Sequence, residues 1–341
     1  MAKKKKLNQQ QIRRLKANHS RKLEKKAETN QLDDSALGAT EAGIVVSRFG
    51  QHADIQDSSG VIKRCDIRRT IDSLVSGDKV VWRPAEESQS DKDGVIEAVQ
   101  PRSTVLSRPD FYDGLKPVAA NIDQVVIVSA IKPELSLQIL DRYLVAVENM
   151  GARPVIAINK VELLSDDELN ELHKTMAYYE NLGYDVHLVS VKQSIGLDKF
   201  NTMLADNVSI VVGQSGVGKS SLVNYLLPDV QTQVNEVSDV SGLGQHTTTV
   251  SRLYNLPCGG YLIDSPGVRE FSLWHLSQEE IFDGFIEFSQ YKTCKFRDCS
   301  HQNTPKCGII AAVESGHILP SRLAHYFKII ESNQEDKPNR F

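Results

Sequence analysis

The chain has 341 residues, enough for two or three domains that each bury a core, and its 40% apolar and 25% charged residues match folded globular proteins rather than fibrous or disordered ones. Apolar runs such as 125–128 and 208–212 fall far short of the roughly 20 residues that cross a bilayer, which excludes a helical span. Net charge is −4, yet residues 1–27 hold eleven Lys/Arg against the single acid Glu24, so this segment carries +10 and the remainder −14.

Residues 1–39 read as a basic arm that is either a solvated, disordered terminus or a polycation displacing counterions from a nucleic acid. The arm lacks the apolar stretch of a secretory signal, so the expectation is a cytoplasmic monomer without membrane contact. Across 40–110, short strands are expected at 43–49, 53–56, 61–67, 79–84 and 94–99. Asp57-Ser58-Ser59-Gly60, Ser76-Gly77-Asp78 and Asp91-Lys92-Asp93-Gly94 supply the turns. Five strands in this length predict a small β-barrel of the OB type, and Lys63, Arg64, Arg68 and Arg69 add positive charge suited to RNA.

From 111 to 269 the pattern alternates between buried strands and helices. Strands are expected at 125–130, 154–158, 186–189 and 208–212, and helices at 135–150 ending at Gly151, 166–182 closed by Gly183, and 197–204. This rhythm predicts a parallel sheet with helices on both faces. Over 270–330 the strands stop, helices at 281–290, 309–315 and 320–330 surround a Cys/His cluster, and 331–341 read as a polar tail.

Gly213-Gln214-Ser215-Gly216-Val217-Gly218-Lys219-Ser220 matches G-x-x-x-x-G-K-[ST] between an apolar strand and a helix that opens at Ser221. Its glycines let backbone N–H groups turn toward phosphate oxygens, and the helix N-terminus adds positive potential. Lys219 is expected on the β- and γ-phosphates, as both a binding and a catalytic group, and Ser220 on Mg²⁺. Ile263-Asp264-Ser265-Pro266-Gly267 matches D-x-x-G, with Asp264 holding Mg²⁺ through water and the Gly267 amide sensing the γ-phosphate. Between these motifs Ser241-Gly242-Leu243-Gly244-Gln245-His246-Thr247-Thr248-Thr249 occupies the place of switch I; Thr248 is the leading candidate to complete the Mg²⁺ shell, with Thr247 and Thr249 open. Val268 stands where small GTPases often carry a water-orienting glutamine, so His246 is the nearest polar candidate for that work, and His246→Ala is expected to lower turnover with little effect on affinity.

Asn159-Lys160-Val161-Glu162, at the end of a strand, fits the N-K-x-[DE] element in which a carboxylate pairs with the guanine N1–H and amine and the lysine lies along the base. Ser190-Val191-Lys192, after the next strand, fits the loop whose backbone amide contacts the guanine oxygen. The acid is Glu162 rather than the usual aspartate; its chemistry is the same but one methylene longer, which leaves GTP as the leading ligand and ATP as the alternative. In an ordinary small GTPase this element follows the P-loop, whereas here it precedes it, so the G domain is circularly permuted. Cys294, Cys299, His301 and Cys307 follow as C-x₄-C-x-H-x₅-C, the ligand set of a closed, structural zinc site, while Cys65 and Cys258 stand alone.

The sequence of a barrel, N-K-V-E, G-Q-S-G-V-G-K-S, G-L-G-Q-H-T-T-T, D-S-P-G-V-R-E-F and the Cys/His cluster resembles the circularly permuted, small-ribosomal-subunit-dependent GTPases of the RsgA/YjeQ family over about 40–330. The resemblance implies an OB-fold, a permuted G domain and a helical zinc domain. It also implies GTP hydrolysis stimulated by the small ribosomal subunit in late maturation, with contacts to its rRNA. Two other classes stay open: a P-loop ATPase or small-molecule kinase, and a zinc-stabilised RNA-binding module whose nucleotide site is structural.

Overall fold

The computed structural model describes residues 37–85, 92–110, 114–228, 251–264, 273, 275–296 and 299–335. The five expected N-terminal strands form as β1 (Glu41–Phe49), β2 (His52–Asp57), β3 (Ile62–Ile67), β4 (Lys79–Pro84) and β5 (Gly94–Val99), closed in the order β1-β2-β3-β5-β4. Closure removes the free edges that an open five-stranded sheet would expose. The β2–β3 turn is fixed by Asp57, whose Oδ1 accepts from the Ser59 and Val61 amides at 2.9 Å each. Val45, Ile55, Cys65, Leu74 and Trp82 fill the barrel, and burial pushes the Cys65 thiol up to about 12. Arg64 is held bidentately by Asp54 and Arg68 reaches Glu97 at 3.3 Å, so part of the basic charge anticipated here is already paired.

β1 serves two cores at once. By the period-two alternation of a strand, Val45 faces the barrel interior, while Ile44 and Val46 pack into the core of the next unit. A hairpin that the sequence reading did not anticipate, β6 (Val105–Asp110) and β7 (Gly114–Ala120), follows the barrel and buries Leu106 and Ala119 in that same second core.

The α/β unit has a six-stranded sheet ordered β10-β9-β8-β11-β13-β12. Its strands are β8 (Gln124–Ala130), β9 (Arg153–Asn159), β10 (Asp185–Leu188), β11 (Val208–Val212), β12 (Arg252–Asn255) and β13 (Tyr261–Asp264). All neighbours are parallel except β12, an antiparallel edge strand paired with β13, so the expected all-parallel sheet is corrected at one margin. Helix α1 (Leu137–Met150) is capped by the Ser136 side chain and stopped by Gly151 in the left-handed region, with φ 73°. Helix α2 (Asp166–Asn181) starts at a capping box of Ser165 and Glu168, and α3 (Leu197–Leu204) and α4 (Lys219–Leu226) complete the covering layers.

The C-terminal unit contains α5 (Gln278–Asp283), a 3-10 turn (Phe288–Tyr291), α6 (Gly308–Glu314) and α7 (Pro320–Glu335). The single helix expected at 281–290 ends at Asp283 with Gly284 as its C-cap, and Gly284 packs so closely on α1 that a Cβ there would sit 2.8 Å from Val145 Cγ1. Helix α7 continues past the expected end at 330 to Glu335, and Asn333 donates to the Leu276 carbonyl at 3.0 Å, so the first residues assigned to the polar tail are helical.

A buried charge cluster seats this unit on the α/β unit. Arg322, 1% exposed, donates from Nε and Nη2 to Glu287 at 2.7 and 2.9 Å and from Nη1 to Asp141 Oδ1 of α1 at 2.6 Å. The Tyr179 hydroxyl donates to the same Asp141 oxygen at 2.8 Å, His325 Nδ1 meets Asp141 Oδ2 at 2.6 Å, and the guanidinium lies 4.5 Å from the Phe285 ring centre. Among the described residues no helix is long and apolar enough to cross a membrane.

Candidate nucleotide and metal sites

Parallel packing carries the expected nucleotide-binding residues to one end of the sheet. The P-loop leaves β11, Asp264 ends β13, Asn159 ends β9, and Ser190 follows β10. Ligands of open α/β sheets bind at the carboxyl ends of the strands, and all four segments are there.

The P-loop turns through three glycines at positive φ, Gly213 at 140°, Gly216 at 83° and Gly218 at 97°, the last being the N-cap of α4. Two of them are fixed by close approach as well. A Cβ at Gly213 would sit 2.1 Å from the Val128 carbonyl oxygen, and one at Gly218 would sit 2.3 Å from Asn159 Nδ2. Lys219 folds back over the loop, donating to the carbonyls of Gly213 at 2.6 Å and Gln214 at 2.5 Å. Ser215, Gly216, Ser220 and Ser221 are exposed, whereas Val217 anchors the loop in the core under α4.

The N-K-V-E element is locked to this loop across 56 to 58 residues of sequence. Asn159 Nδ2 donates to the Val217 carbonyl at 3.0 Å; Lys160, itself left-handed with φ 65°, donates to the Gly216 carbonyl at 2.7 Å and to the Lys132 carbonyl at 2.5 Å. Val161 is buried in the core and opens the 3-10 turn Val161–Leu163 that carries Glu162. Asn159 Oδ1 and Glu162 Oε2 are both buried without a hydrogen-bond partner. Buried acceptors are nearly always satisfied, so two orphans three residues apart mark a place for N–H donors. The loop after β10 is closed by a bridge in which the amides of Ser190 and Ile195 each donate to the other's carbonyl at 3.0 Å. Within it the Ser190 hydroxyl accepts from the Gln193 amide at 3.0 Å, Val191 is half-buried and Lys192 is exposed.

Asp264 lies at the rim of the sheet, and burial of its carboxyl raises it above the usual aspartate range. A desolvated carboxylate at the end of a strand beside the P-loop suits a place where a divalent ion would supply positive charge. Gly267, Thr248 and His246, with the rest of the expected switch segments at 241–249 and 265–270, lie outside the described residues. The sequence reading missed Lys132, whose main-chain oxygen signals nothing in a motif, although Lys160 depends on it.

Cys294, Cys299, His301 and Cys307 place their ligand atoms within 4.8 Å of one another. The Cys294 and Cys307 sulfurs are 3.7 Å apart, and His301 Nδ1 lies 3.6 Å from the first and 3.4 Å from the second. A tetrahedron with Zn–S bonds of about 2.3 Å has edges of about 3.8 Å, so these three ligand atoms already stand at the spacing of a zinc site. Burial pushes the Cys307 thiol up to about 11, and a bound cation is what would reverse that shift. Phe282 stacks on the His301 ring with centroids 5.0 Å apart, fixing its orientation.

Comparison with known proteins agrees with this geometry. A family model described as RsgA GTPase matches residues 99–274. "Small ribosomal subunit biogenesis GTPase RsgA 1" of Vibrio vulnificus (strain YJ016) is 55% identical over 342 residues, covering 100% of this chain and 97% of that protein. The Photorhabdus laumondii protein named "Small ribosomal subunit biogenesis GTPase RsgA" is 52% identical over 340 residues, covering 98% and 97%. Among solved structures, YjeQ from Thermotoga maritima aligns with a TM-score of 0.71 and 32% identity over 89% of this chain and 100% of that one. YloQ, described as a circularly permuted GTPase, aligns at 0.72 and 28% over 91% and 100%. With a family model over half of its length and relatives 52% and 55% identical along nearly all of it, the chain belongs to the RsgA GTPase family.

Proposed function

We propose that this chain hydrolyses GTP in the biogenesis of the small ribosomal subunit, with the subunit and its rRNA as partners that stimulate turnover. The observation that carries the guanine reading is the pair of buried, unpartnered acceptors Asn159 Oδ1 and Glu162 Oε2 beside a loop tied to the P-loop. Guanine presents an N1–H and an amine on one edge, a donor pair that adenine lacks. Asn159, Lys160, Val161, Glu162 and the Ser190-Val191-Lys192 loop hold the base; Gly213 to Ser221 hold the phosphates.

Lys219 brings positive charge to the β- and γ-phosphates, where negative charge builds as the terminal bond breaks. Ser220, Thr248 and, through water, Asp264 are the residues to hold Mg²⁺, which when bound draws charge from the bridging oxygens. The Gly267 amide reports the γ-phosphate, and His246 is the candidate to orient water because Val268 cannot. Cys294, Cys299, His301 and Cys307 hold one structural Zn²⁺, with all four positions taken by protein, so the ion stabilises rather than catalyses. The arm at 1–39 and the barrel supply RNA contact, and the protein works in the cytoplasm as a monomer.

The test is phosphate release from GTP and from ATP, each with and without purified small subunits. Release from GTP that rises with subunits supports the reading. Equal affinity for GDP and ADP in titration removes the guanine assignment, and subunit-independent turnover removes the ribosomal one.

A further inference from the structure

One turn of the barrel touches both strands that connect to the switch segments. Ser76, 2% exposed, donates from Oγ to the Ser251 carbonyl at 2.7 Å. Ser251 is the residue through which the expected switch I segment enters β12. The next residue, Gly77, has φ 87°, and a Cβ there would sit 2.2 Å from the Ala120 carbonyl oxygen and 3.2 Å from Cδ1 of Ile263, the residue before Asp264. The turn is therefore pressed against the strand that leads into D-x-x-G as well.

The same turn is wired into the barrel. The Gly77 amide donates to the Val45 carbonyl at 2.9 Å, and the Val45 amide to the Asp78 carbonyl at 2.8 Å. Fully buried Asp78 accepts Arg102 bidentately at 2.7 and 2.8 Å and the Val75 amide at 2.8 Å. The Ala120 amide donates to the Ser76 carbonyl at 3.0 Å, and Asn121 Nδ2 to the Gly77 carbonyl at 2.9 Å, joining the turn to β7. Ile44 and Val46 of β1 share one core with Leu253 of β12 and Ile263 of β13. A displacement of β1 must move the 76–78 turn, and the turn carries Ser251 and Ile263 with it.

We propose that Ser76 is a positioning residue, through which RNA gripped by the barrel sets the backbone where switch I joins the sheet and so raises the rate of GTP hydrolysis. This rests on the reading of the chain as a subunit-stimulated GTPase. A neutral hydroxyl suits the role: its single bond fixes the Ser251 carbonyl in one barrel position and yields when the barrel shifts. The partner acts only through the difference in its affinity for the two positions.

The experiment compares the parent protein with Ser76→Ala, full length, with and without small subunits. Losing one neutral hydrogen bond is expected to lower the subunit-stimulated kcat about three- to tenfold, with KM for GTP, unstimulated turnover and co-sedimentation with subunits each within about twofold. Amide exchange gives a readout independent of activity: Leu253 and Tyr254 should exchange about threefold faster or more, while Ala53 and Ile55 in the barrel stay unchanged. Stimulated kcat equal to the parent's overturns the proposal, as does lost subunit binding, which would make Ser76 a prop for the barrel. Unchanged exchange at Leu253 and Tyr254 overturns it equally. A parent protein that subunits fail to stimulate refutes the underlying functional reading instead, a separate outcome.

Discussion

The α/β unit is joined to its two neighbours by seams of opposite chemistry. On the C-terminal side the seam is charged and aromatic: Arg322, Asp141 and Glu287, at 1%, 0% and 3% exposure, with Tyr179, His325 and Phe285 around them. On the barrel side the crossing contacts are neutral and small, from Ser76, Gly77, Thr104 and Asn121, backbone bonds, and the aliphatic faces of Val46 and Ile122, while the buried Asp78–Arg102 pair braces the turn from behind. A buried ion pair is costly to open because each partner is left uncompensated away from water, so such a seam is either made or broken. Neutral bonds worth about 1 kcal/mol each can be exchanged one at a time. Motif order makes the D-x-P-G segment the covalent lead into the C-terminal unit, but the charged seam ties that unit to α1, so it travels with α1 as one body. The barrel side is the one built to adjust.

Four perturbations sharpen or break this contrast, the largest expected effect first. Removing the proposed zinc by chelation, or Cys307→Ser, should cost several kcal/mol, below the about 10–16 kcal/mol that structural zinc contributes in finger peptides. The 294–307 segment should then become protease-sensitive while GDP binding survives; an intact, resistant C-terminal unit after chelation would show that its core needs no metal. Arg322→Ala should cost about 3–5 kcal/mol by leaving Asp141 and Glu287 buried and unpaired, seen as a large fall in Tm. Replacing Arg322, Asp141 and Glu287 together by Met, Leu and Leu should recover most of that loss. A single Arg322→Ala costing under about 1 kcal/mol would mean the seam is no latch.

Gly77→Ala should cost about 2–3 kcal/mol, because a left-handed φ and a contact with a backbone carbonyl cannot relax together. Denaturant unfolding would report it, and a neutral result would place the barrel turn away from the sheet. Thr104→Val is the smallest, about 1–2 kcal/mol, since it removes the hydroxyl that donates to the Ile122 carbonyl at 2.8 Å and accepts from the Ile122 amide at 2.6 Å. Loss of more than Arg322→Ala would invert the comparison.

Much of this was legible in the sequence because local signals carry it. Asp57 and Gly60 announce the β2–β3 turn, Ser165 and Glu168 the start of α2, and the P-loop glycines their own positive φ values. What escaped depends on contacts between distant segments. Pro109 and Pro117 interrupt the strand pattern of β6 and β7, and a two-stranded ribbon tolerates them because its outer edges need no donor. Gly284, which caps α5, is held to glycine by Val145 on another element altogether. Arg322 and Asp141 are 181 residues apart, and a lone arginine in an amphipathic helix looks like solvent-facing charge. At the nucleotide site the motifs named the residues, while the Lys160 bonds to Gly216 and Lys132 emerged only from the fold.

Those bonds have a consequence for how the protein is made. Asn159 and Lys160 are synthesised 58 and 56 residues before their partners Val217 and Gly216. At translation rates of about 5–20 residues per second, the N-K-V-E half waits about 3–12 seconds for the P-loop half. During that interval Lys160 has the Lys132 carbonyl but not that of Gly216, so the two halves lock together only after the later one has emerged.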